Sequence, residues 1–287
     1  MRIQVKYGSV YHYEASVSFS PHVFRLFPRV DRFVNVKEVK FETNAGADIQ
    51  YRRDLFDNEV ARCFYPERGT DLKADLLLDL ELQEKNPFHF LLENHVLDFP
   101  FQYKPHERDV LAPYLKPRSP EASPELPFWQ PKPGPTVGAL LELNEAIYKN
   151  IKYERRDEGE AREPAETLAI GSGACRDFSV LLAEVLRKNG VAARLASGYL
   201  CEFGTDDKEK RAVGAMHAWV EAYLPGAEWV GIDPTNGTFA NHYHIVTAVG
   251  LIPDDISPIT GTYYHKKTET RVEAKMDAVL ELTDLTP

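Results

Sequence analysis

The segment GSGACRDFSVLLAEVLRKNG, residues 171–190, decides the fold class that this sequence predicts. From Cys175 onward its apolar residues recur at intervals of three and four, which is the spacing of one helix face. These apolar positions are Phe178, Leu181, Leu182, Val185 and Leu186. Gly190 is a typical stop signal, so the segment predicts an amphipathic helix that begins at Cys175, directly after a glycine-containing loop.

Strand-like segments follow this helix and are separated by polar or Pro-Gly turns. They are Ala193 to Phe203, Met216 to Leu224 and Glu228 to Ile232. A further helical pattern precedes the glycine loop, with Leu140, Leu141, Ile147 and Ile151 set among polar residues. A helix packed on an antiparallel sheet is an α+β arrangement, and we expect this core, with a C-terminal strand, to occupy residues 138–287.

Residues 1–86 predict an N-terminal all-β domain of the sandwich type. Short segments rich in Val, Tyr and Phe recur there, and turn-prone residues such as Gly8-Ser9 separate them. Leu76, Leu78, Leu80 and Leu82 fall on one face of the last segment, as a half-buried strand requires. The predicted strands are Ile3 to Tyr7, Val10 to Phe19, Val23 to Phe27, Val36 to Thr43, Asp48 to Arg53, Glu59 to Tyr65 and Leu72 to Leu82.

Residues 87–137 predict a proline-rich connector between these two parts. Eight prolines lie between Pro113 and Pro135, with almost no apolar periodicity. Because proline fixes φ and lacks an amide donor, we expect neither a helix nor an inner strand over that stretch.

The composition excludes several classes of partner. Of the 287 residues, 43% are hydrophobic and 27% are charged, which fits a folded soluble protein rather than a disordered one. The net charge is −10 and the Lys and Arg residues are scattered, so we expect no nucleic-acid partner. No apolar run is long enough to cross a bilayer, so we expect no membrane partner. The first residues alternate as in a strand rather than forming a secretory signal, and we therefore expect a cytoplasmic protein.

The chain has three cysteines, Cys63, Cys175 and Cys201, which form no C-x-x-C pair and favour free thiols. Cys175 stands at a predicted helix start, where unpaired N–H groups and the helix dipole stabilise a thiolate. Its backbone N–H is also a candidate oxyanion donor. A small buried apolar residue is the alternative interpretation of Cys175. Cys63 and Cys201 lie in strand-like runs, and we expect both to be structural.

A thiol nucleophile needs a base, and the base needs a third group that orients it. His217 begins a strand-like run, and Asp233 ends the next one after a turn at Pro225-Gly226. On adjacent antiparallel strands these two side chains can come within hydrogen-bond reach. Each alone has an ordinary structural explanation, as polar surface or as a turn, but their joint occurrence after a helix-start cysteine predicts a Cys175, His217, Asp233 triad.

The order of Cys175, then His217-Ala218-Trp219, then Asp233-Pro234-Thr235-Asn236 resembles the transglutaminase-like superfamily, whose core is similar to papain-like proteases. Other segments look like the bacterial branch of that superfamily. They are Ala174 to Phe178, Ser197-Gly198-Tyr199, Val249-Gly250 and Gly261-Thr262-Tyr263. The run from Ser20 to Arg29 also resembles the β-domain that precedes the core in that branch.

The resemblance implies acyl transfer on amide bonds through a thioester, without a cofactor. Cys175 would attack the amide carbonyl, His217 would protonate the leaving amine, and Asp233 would orient the imidazole and stabilise its cation. The implied partners are a peptide or protein amide substrate and, as a possibility for transfer, an amine acceptor. Hydrolysis by a peptidase or amidase is the favoured outcome, and protein-glutamine transamidation (crosslinking) is the alternative.

Other hypotheses remain open at this stage. Trp219, Tyr263 and His244 are candidates for the wall of a substrate pocket. His242 and His244 could share a metal, but no third ligand is evident, so we predict no metal site. The triad could also be vestigial in a binding or scaffold protein that uses its strand edges, since a sheet edge can add a peptide strand.

Overall fold

The computed structural model describes residues 1–44, 46–118, 125–156, 159–201, 211–213, 216–265 and 274–285. Up to residue 135 its elements are β1 (Arg2–Phe19), β2 (His22–Phe24), β3 (Val34–Thr43), β4 (Asp48–Arg53), β5 (Glu59–Phe64), β6 (Gly69–Leu82), a 3₁₀ turn (Asn94–Val96), β7 (Asp98–Phe99), α1 (Pro105–Leu115) and β8 (Gly134–Pro135). The later elements are α2 (Thr136–Asn150), β9 (Lys152–Tyr153), α3 (Pro164–Ile170), β10 (Ser172–Gly173), α4 (Cys175–Lys188), β11 (Ala193–Leu200), β12 (Arg211–Val213), β13 (Met216–Leu224), β14 (Glu228–Asp233), β15 (Thr238–Phe239), β16 (His244–Gly250), α5 (Pro253–Ile256), β17 (Ile259–Thr260), β18 (Tyr263–Tyr264) and β19 (Ala274–Asp284).

The C-terminal core is a helix layer on a five-stranded antiparallel sheet. The strand order of this sheet is β15-β14-β13-β11-β16, and every pairing within it is antiparallel. Leu181, Leu182 and Val185 of α4 share one buried cluster with Val220 and Ala222 of β13. The predicted α+β class, with the cysteine-bearing helix packed on an antiparallel sheet, is therefore confirmed. Among the described residues, no helix combines the length and the apolar character that a membrane span requires.

Two further sheets are built mainly from the N-terminal residues. One has the order β12-β19-β1-β6-β3, with β18 paired to the far end of β1, and the other has the order β17-β2-β5-β4. Side chains from both sheets, such as Val5 and Leu78 from the first and Phe24 and Cys63 from the second, fill a common core. Tyr199 of β11 belongs to the same core, so the N-terminal sheets pack on the five-stranded sheet.

The face predicted for the leucines of β6 is confirmed, since Leu76, Leu78, Leu80 and Leu82 are all buried.

The predicted turn at Gly8-Ser9 is wrong, because β1 runs through it as one strand. Gly8 pairs with Asp75 on one side and with Val279 on the other, so ladder bonds on both sides keep it extended. Glycine is permissive rather than obligatory as a turn residue, and here the tertiary pairing decides.

The prediction that no helix touches the Pro113–Pro135 stretch is also wrong at its first residues. Helix α1 begins with Pro105, a favoured residue for the first helical turn, and continues two residues past Pro113. Proline costs a helix one hydrogen bond to the preceding turn, and a helix near its end can lose that bond without breaking.

The loop between β4 and β5 fastens the N-terminal part to the five-stranded sheet. The Asn58 side chain is buried; it donates to the carbonyl of Val249 at 2.8 Å and accepts from its N–H at 2.8 Å. Val249 lies in β16, the edge strand of that sheet, so Asn58 takes the place of a neighbouring strand. Phe56 from the same loop packs against the cluster that contains Trp219.

We expect Asn58→Ala to lower the free energy of unfolding by about 1–3 kcal/mol, because the substitution leaves the buried N–H and carbonyl of Val249 unpaired. Asn35→Ala is the matched control: Asn35 is exposed, and its change should stay within about 0.5 kcal/mol. Urea unfolding of the two variants measures both values. Equal losses would show that Asn58 does not fasten the β16 edge.

Candidate active site

Cys175 is the first residue of α4 and follows the short strand β10. The first N–H groups of a helix have no acceptor within the helix, so the N–H of Cys175 faces outward from the helix start. Cys175 is partly exposed, whereas Cys63 and Cys201 are both buried. Of the three thiols, Cys175 is therefore the one that combines access with a helix N-terminus.

The loop before Cys175 is held by Asp177, whose carboxylate is completely buried. It accepts hydrogen bonds from the backbone N–H of Ala174 at 2.7 Å, from that of Arg162 at 2.8 Å, and from the guanidinium of Arg156 at 2.7 and 2.9 Å. A Cβ on Gly173 would lie 2.8 Å from the Asp177 Cβ, so only glycine fits there. The Asp177 contacts thus fix where α4 starts and where the Cys175 thiol is presented.

His217 lies near the start of β13, and Asp233 ends β14. In the register of these strands Val220 pairs with Ile232, which places Asp233 diagonally across from His217. The two side chains meet with His217 Nε2 2.8 Å from Asp233 Oδ2. Because Nε2 is engaged, Nδ1 is the ring nitrogen that remains for the hydrogen bond between His217 and the Cys175 thiol. The structure therefore joins the three residues of the predicted triad in one chain of contacts.

Asp233 is completely buried and accepts five hydrogen bonds. Oδ1 accepts from the backbone N–H groups of Thr235 at 3.0 Å and Asn236 at 3.3 Å. Oδ2 accepts from His217 at 2.8 Å, from His244 at 3.1 Å and from the Asn236 amide at 3.0 Å. An aspartate commonly bonds the backbone two residues further on, so part of this arrangement follows from the Asp-Pro-Thr-Asn sequence itself.

The electrostatics favour a thiolate–imidazolium pair. Burial by itself raises the pKa of Cys175, but the hydrogen bond and charge of His217, the N–H of Ala218 and the charge of Arg176 bring it below its usual value. Burial by itself lowers the pKa of His217, but its hydrogen bonds to Asp233 and Cys175 and the charges of both raise it to about 10. Burial by itself raises the pKa of Asp233, but donation from His217 and His244 holds it well below its usual range.

The proposed pocket residues fall in two places. Trp219 stacks on His217 with ring centroids 6.1 Å apart, and it meets His244 edge-on at 5.3 Å. Tyr263 lies in a different cluster, where its ring meets that of Tyr13 with the ring centroids 4.7 Å apart. The structure therefore brings Trp219 and His244 to the triad and places Tyr263 among N-terminal aromatic residues.

Sequence reasoning missed two contributors to the site. The role of Asp177 was missed, although an acidic residue three positions after the helix N-cap is a recognisable capping pattern. The contact of His244 with Asp233 was missed because it depends on how β16 is placed beside β11, which no local pattern reports.

Among the described residues, two groups of side chains could be considered as metal ligands. His242 accepts from the backbone N–H of Lys85, whereas His244 bonds Asp233, so the two imidazoles take different partners. Glu93, His95 and Glu107 do lie close enough together to hold an ion. The ammonium of Lys104 already pairs with Glu93, and its backbone N–H bonds Glu107, which accounts for this group as a surface ion-pair network.

Family comparisons cover both parts of the chain. Residues 129–234 match the model of the transglutaminase-like superfamily, and this region contains Cys175, His217 and Asp233. Residues 3–80 match the model of the bacterial transglutaminase-like N-terminal region. Together the two matched regions make up more than half of the chain.

The individual relatives that this chain matches in sequence align with only part of it. An uncharacterized protein of Mycobacterium tuberculosis is 31% identical over 158 residues, which are 53% of this chain and 50% of that protein. One of Mycobacterium leprae is 34% identical over 113 residues, which are 39% of this chain and 38% of that protein. The chain thus spans about half the length, or less, of the curated relatives it matches.

Among solved structures, a proposed cysteine protease from Cytophaga hutchinsonii aligns with a TM-score of 0.67 over 99% of this chain and 97% of that one. The identity is 15%, so the likeness concerns the fold.

We expect iodoacetamide to label Cys175 at least about tenfold faster than Cys63 or Cys201 at neutral pH, because the thiolate is the reacting form. Burial raises the pKa of Cys63 to about 11 and that of Cys201 to about 12, whereas the pKa of Cys175 is lowered. The Cys175 thiolate is present above its lowered pKa, so its labelling should persist into mildly acidic solution. Peptide mass spectrometry measures each site, and equal rates in the folded protein would contradict the ion pair.

We expect Asp177→Ala to lower the free energy of unfolding by about 3 kcal/mol, because it leaves the largely buried guanidinium of Arg156 without its partner. Glu145→Ala is the control, since it breaks the exposed helix pair with Lys149 and should cost no more than about 0.5 kcal/mol. Urea unfolding compares the two. A loss no larger than that of the control would show that Asp177 does not hold the loop.

Proposed function

Because this chain belongs to the transglutaminase-like superfamily, we propose that it is a cysteine-dependent acyl-transfer enzyme that hydrolyses amide bonds in peptides or proteins. One observation carries the proposal: the thiol of Cys175, a partly exposed residue at a helix start, bonds an imidazole, and that imidazole bonds a buried carboxylate. The arrangement supplies a nucleophile, a proton carrier and a group that orients the carrier.

The first step is attack by the Cys175 thiolate on the carbonyl carbon of the amide. A C–S bond forms, and the carbonyl π electrons move to oxygen. The backbone N–H of Cys175, free of any intrahelical acceptor, is placed to donate to that oxyanion. The positive end of α4 stabilises the same negative charge.

In the second step the tetrahedral intermediate collapses. His217, held as an imidazolium, gives its Nδ1 proton to the amide nitrogen, the C–N bond breaks, and the amine leaves. Asp233 keeps Nε2–H engaged throughout, so the ring keeps the orientation in which Nδ1 faces the thiol. The product on the protein is a thioester of Cys175.

In the third step a water molecule attacks the thioester while His217 takes its proton. The C–S bond breaks, the acid is released, and the thiolate–imidazolium pair is restored. An amine in place of water would give transamidation with the same residues. The partial exposure of Cys175 gives water access to the acyl group, and the description of the Cytophaga hutchinsonii neighbour as a proposed cysteine protease also favours hydrolysis.

We expect Cys175→Ala to abolish turnover and His217→Ala to come close, since the first removes the group that forms the thioester and the second removes its proton carrier. Asp233→Asn should lower kcat by less than the loss of about 10⁴-fold that the matching change causes in a serine protease. The reason is that a thiol with a lowered pKa depends less on its base. The Cys175→Ala/Asp233→Asn double variant should be no worse than Cys175→Ala alone.

The measurement is kcat/KM on a panel of peptide amides, with and without a free amine acceptor. Cys201→Ala serves as the control, because it removes a buried thiol from the core that the two N-terminal sheets share and should keep turnover. Carboxylic acid as the main product with amine present supports hydrolysis, and an amide adduct supports transfer. Retention of most activity by Cys175→Ala would show that the nucleophile is assigned wrongly.

A further inference from the structure

Two histidines share one oxygen of the buried carboxylate. His217 Nε2 lies 2.8 Å from Asp233 Oδ2, and His244 Nε2 lies 3.1 Å from the same atom. The two imidazole rings have centroids 6.4 Å apart. The His244 side chain is only 5% exposed, so water does not replace it easily.

The protonation of His244 follows from its other nitrogen. The backbone N–H of Asn241 donates to His244 Nδ1 at 3.3 Å, so Nδ1 carries no proton. The proton of this imidazole therefore sits on Nε2 and is donated to Asp233. His244 is a neutral donor here, and its edge contact with Trp219 keeps the ring in place.

We propose that His244 is a positioning residue that competes with His217 for Oδ2 of Asp233 and thereby moderates how strongly His217 holds its proton. A carboxylate that accepts an additional N–H donor is a weaker base. The hydrogen bond from His244 stabilises the Asp233 anion and so weakens its attraction for the imidazolium of His217. The inference rests on the proposed function only in giving this moderation a purpose.

This moderation would serve the role of His217 in proton transfer. Its imidazolium must release a proton to the leaving amine and take one from water in each cycle, and such a group works best with a pKa near the working pH. The contacts with Asp233 and Cys175 raise the pKa of His217 to about 10, above that optimum. A second donor on Asp233 keeps the pKa from rising further, without removing the charge that orients the ring.

Among the residues that the structure describes, titratable and charged groups from three elements reach His217 or its hydrogen-bond partners. Cys175 and Arg176 come from α4, Asp233 comes from the end of β14, and His244 comes from the start of β16. The Thr235 and Asn236 donors reach Asp233 whether or not His244 is present. Removing the His244 donor should therefore change the charge felt by His217 while Asp233 stays in its place.

The test compares His244→Leu with His244→Gln in the full chain. Leucine has no donor, whereas the glutamine amide can place an N–H near the position of Nε2. The readout is the rate of Cys175 alkylation by iodoacetamide as a function of pH, which needs no substrate. The profile should show two steps: a lower one where the ion pair forms, and an upper one where the imidazolium loses its proton and the thiolate becomes unpaired.

In His244→Leu we expect the upper step to move to higher pH by about half to one pH unit, which corresponds to the free energy of one hydrogen bond. The lower step should stay nearly unchanged. His244→Gln should restore the wild-type profile. On an amide substrate His244→Leu should lower kcat and leave KM unchanged. An upper step that stays in place or moves to lower pH in His244→Leu would overturn the inference, because a purely structural role predicts one or the other.

Two further outcomes are decided by the same experiment. If His244→Leu does not fold, His244→Met replaces it, since an unbranched side chain fills the space and also lacks a donor. A wild-type profile without a lower step would contradict the ion pair and thus the proposed function. Failure of the proposed function is therefore visible in the unmodified protein, and failure of the His244 role only in its variants.

Discussion

The candidate site depends on one buried ion, the Asp233 carboxylate. A carboxylate removed from water is stable as an anion only if donors replace its hydration, and otherwise it takes up a proton. Here two imidazoles, a side-chain amide and two backbone N–H groups supply those donors. The ionised carboxylate raises the pKa of His217, and the hydrogen bond and charge of His217 in turn lower the pKa of Cys175. Each of these pKa shifts depends on the preceding charge.

The layers of the fold deliver these groups from different directions. Helix α4 brings the thiol, while β13, β14 and β16 of the five-stranded sheet bring the imidazoles and the carboxylate. The N-terminal part packs on the opposite side of that sheet, where Phe56 contacts the Trp219 cluster and Asn58 pairs with the edge strand. The N-terminal part thus packs against the sheet that carries the residues that would perform the chemistry.

Much of this arrangement follows from short-range patterns. The helix after Cys175, the strand before Leu224 and the buried leucines of β6 are all visible as periodicities of three to four or of two. The order of Cys175, His217 and Asp233 sufficed to predict that they meet. What the sequence could not predict depends on pairing between distant segments. Gly8 stays extended because strands meet it on both sides, and His244 reaches Asp233 because β16 lies beside β11.

The pairing of β1 with β19 also constrains how the protein is made. Ile3 pairs with Asp284 and Tyr13 with Ala274, so β1 is completed by a strand that lies far later in the sequence. Contacts of such long sequence separation form slowly, because a large loop must close before they are gained. Until then one edge of β1 is uncovered during synthesis, and uncovered strand edges are where nascent chains associate. The six-stranded sheet is therefore completed only once β19 has been synthesised, after the elements that lie between β1 and β19 in the sequence.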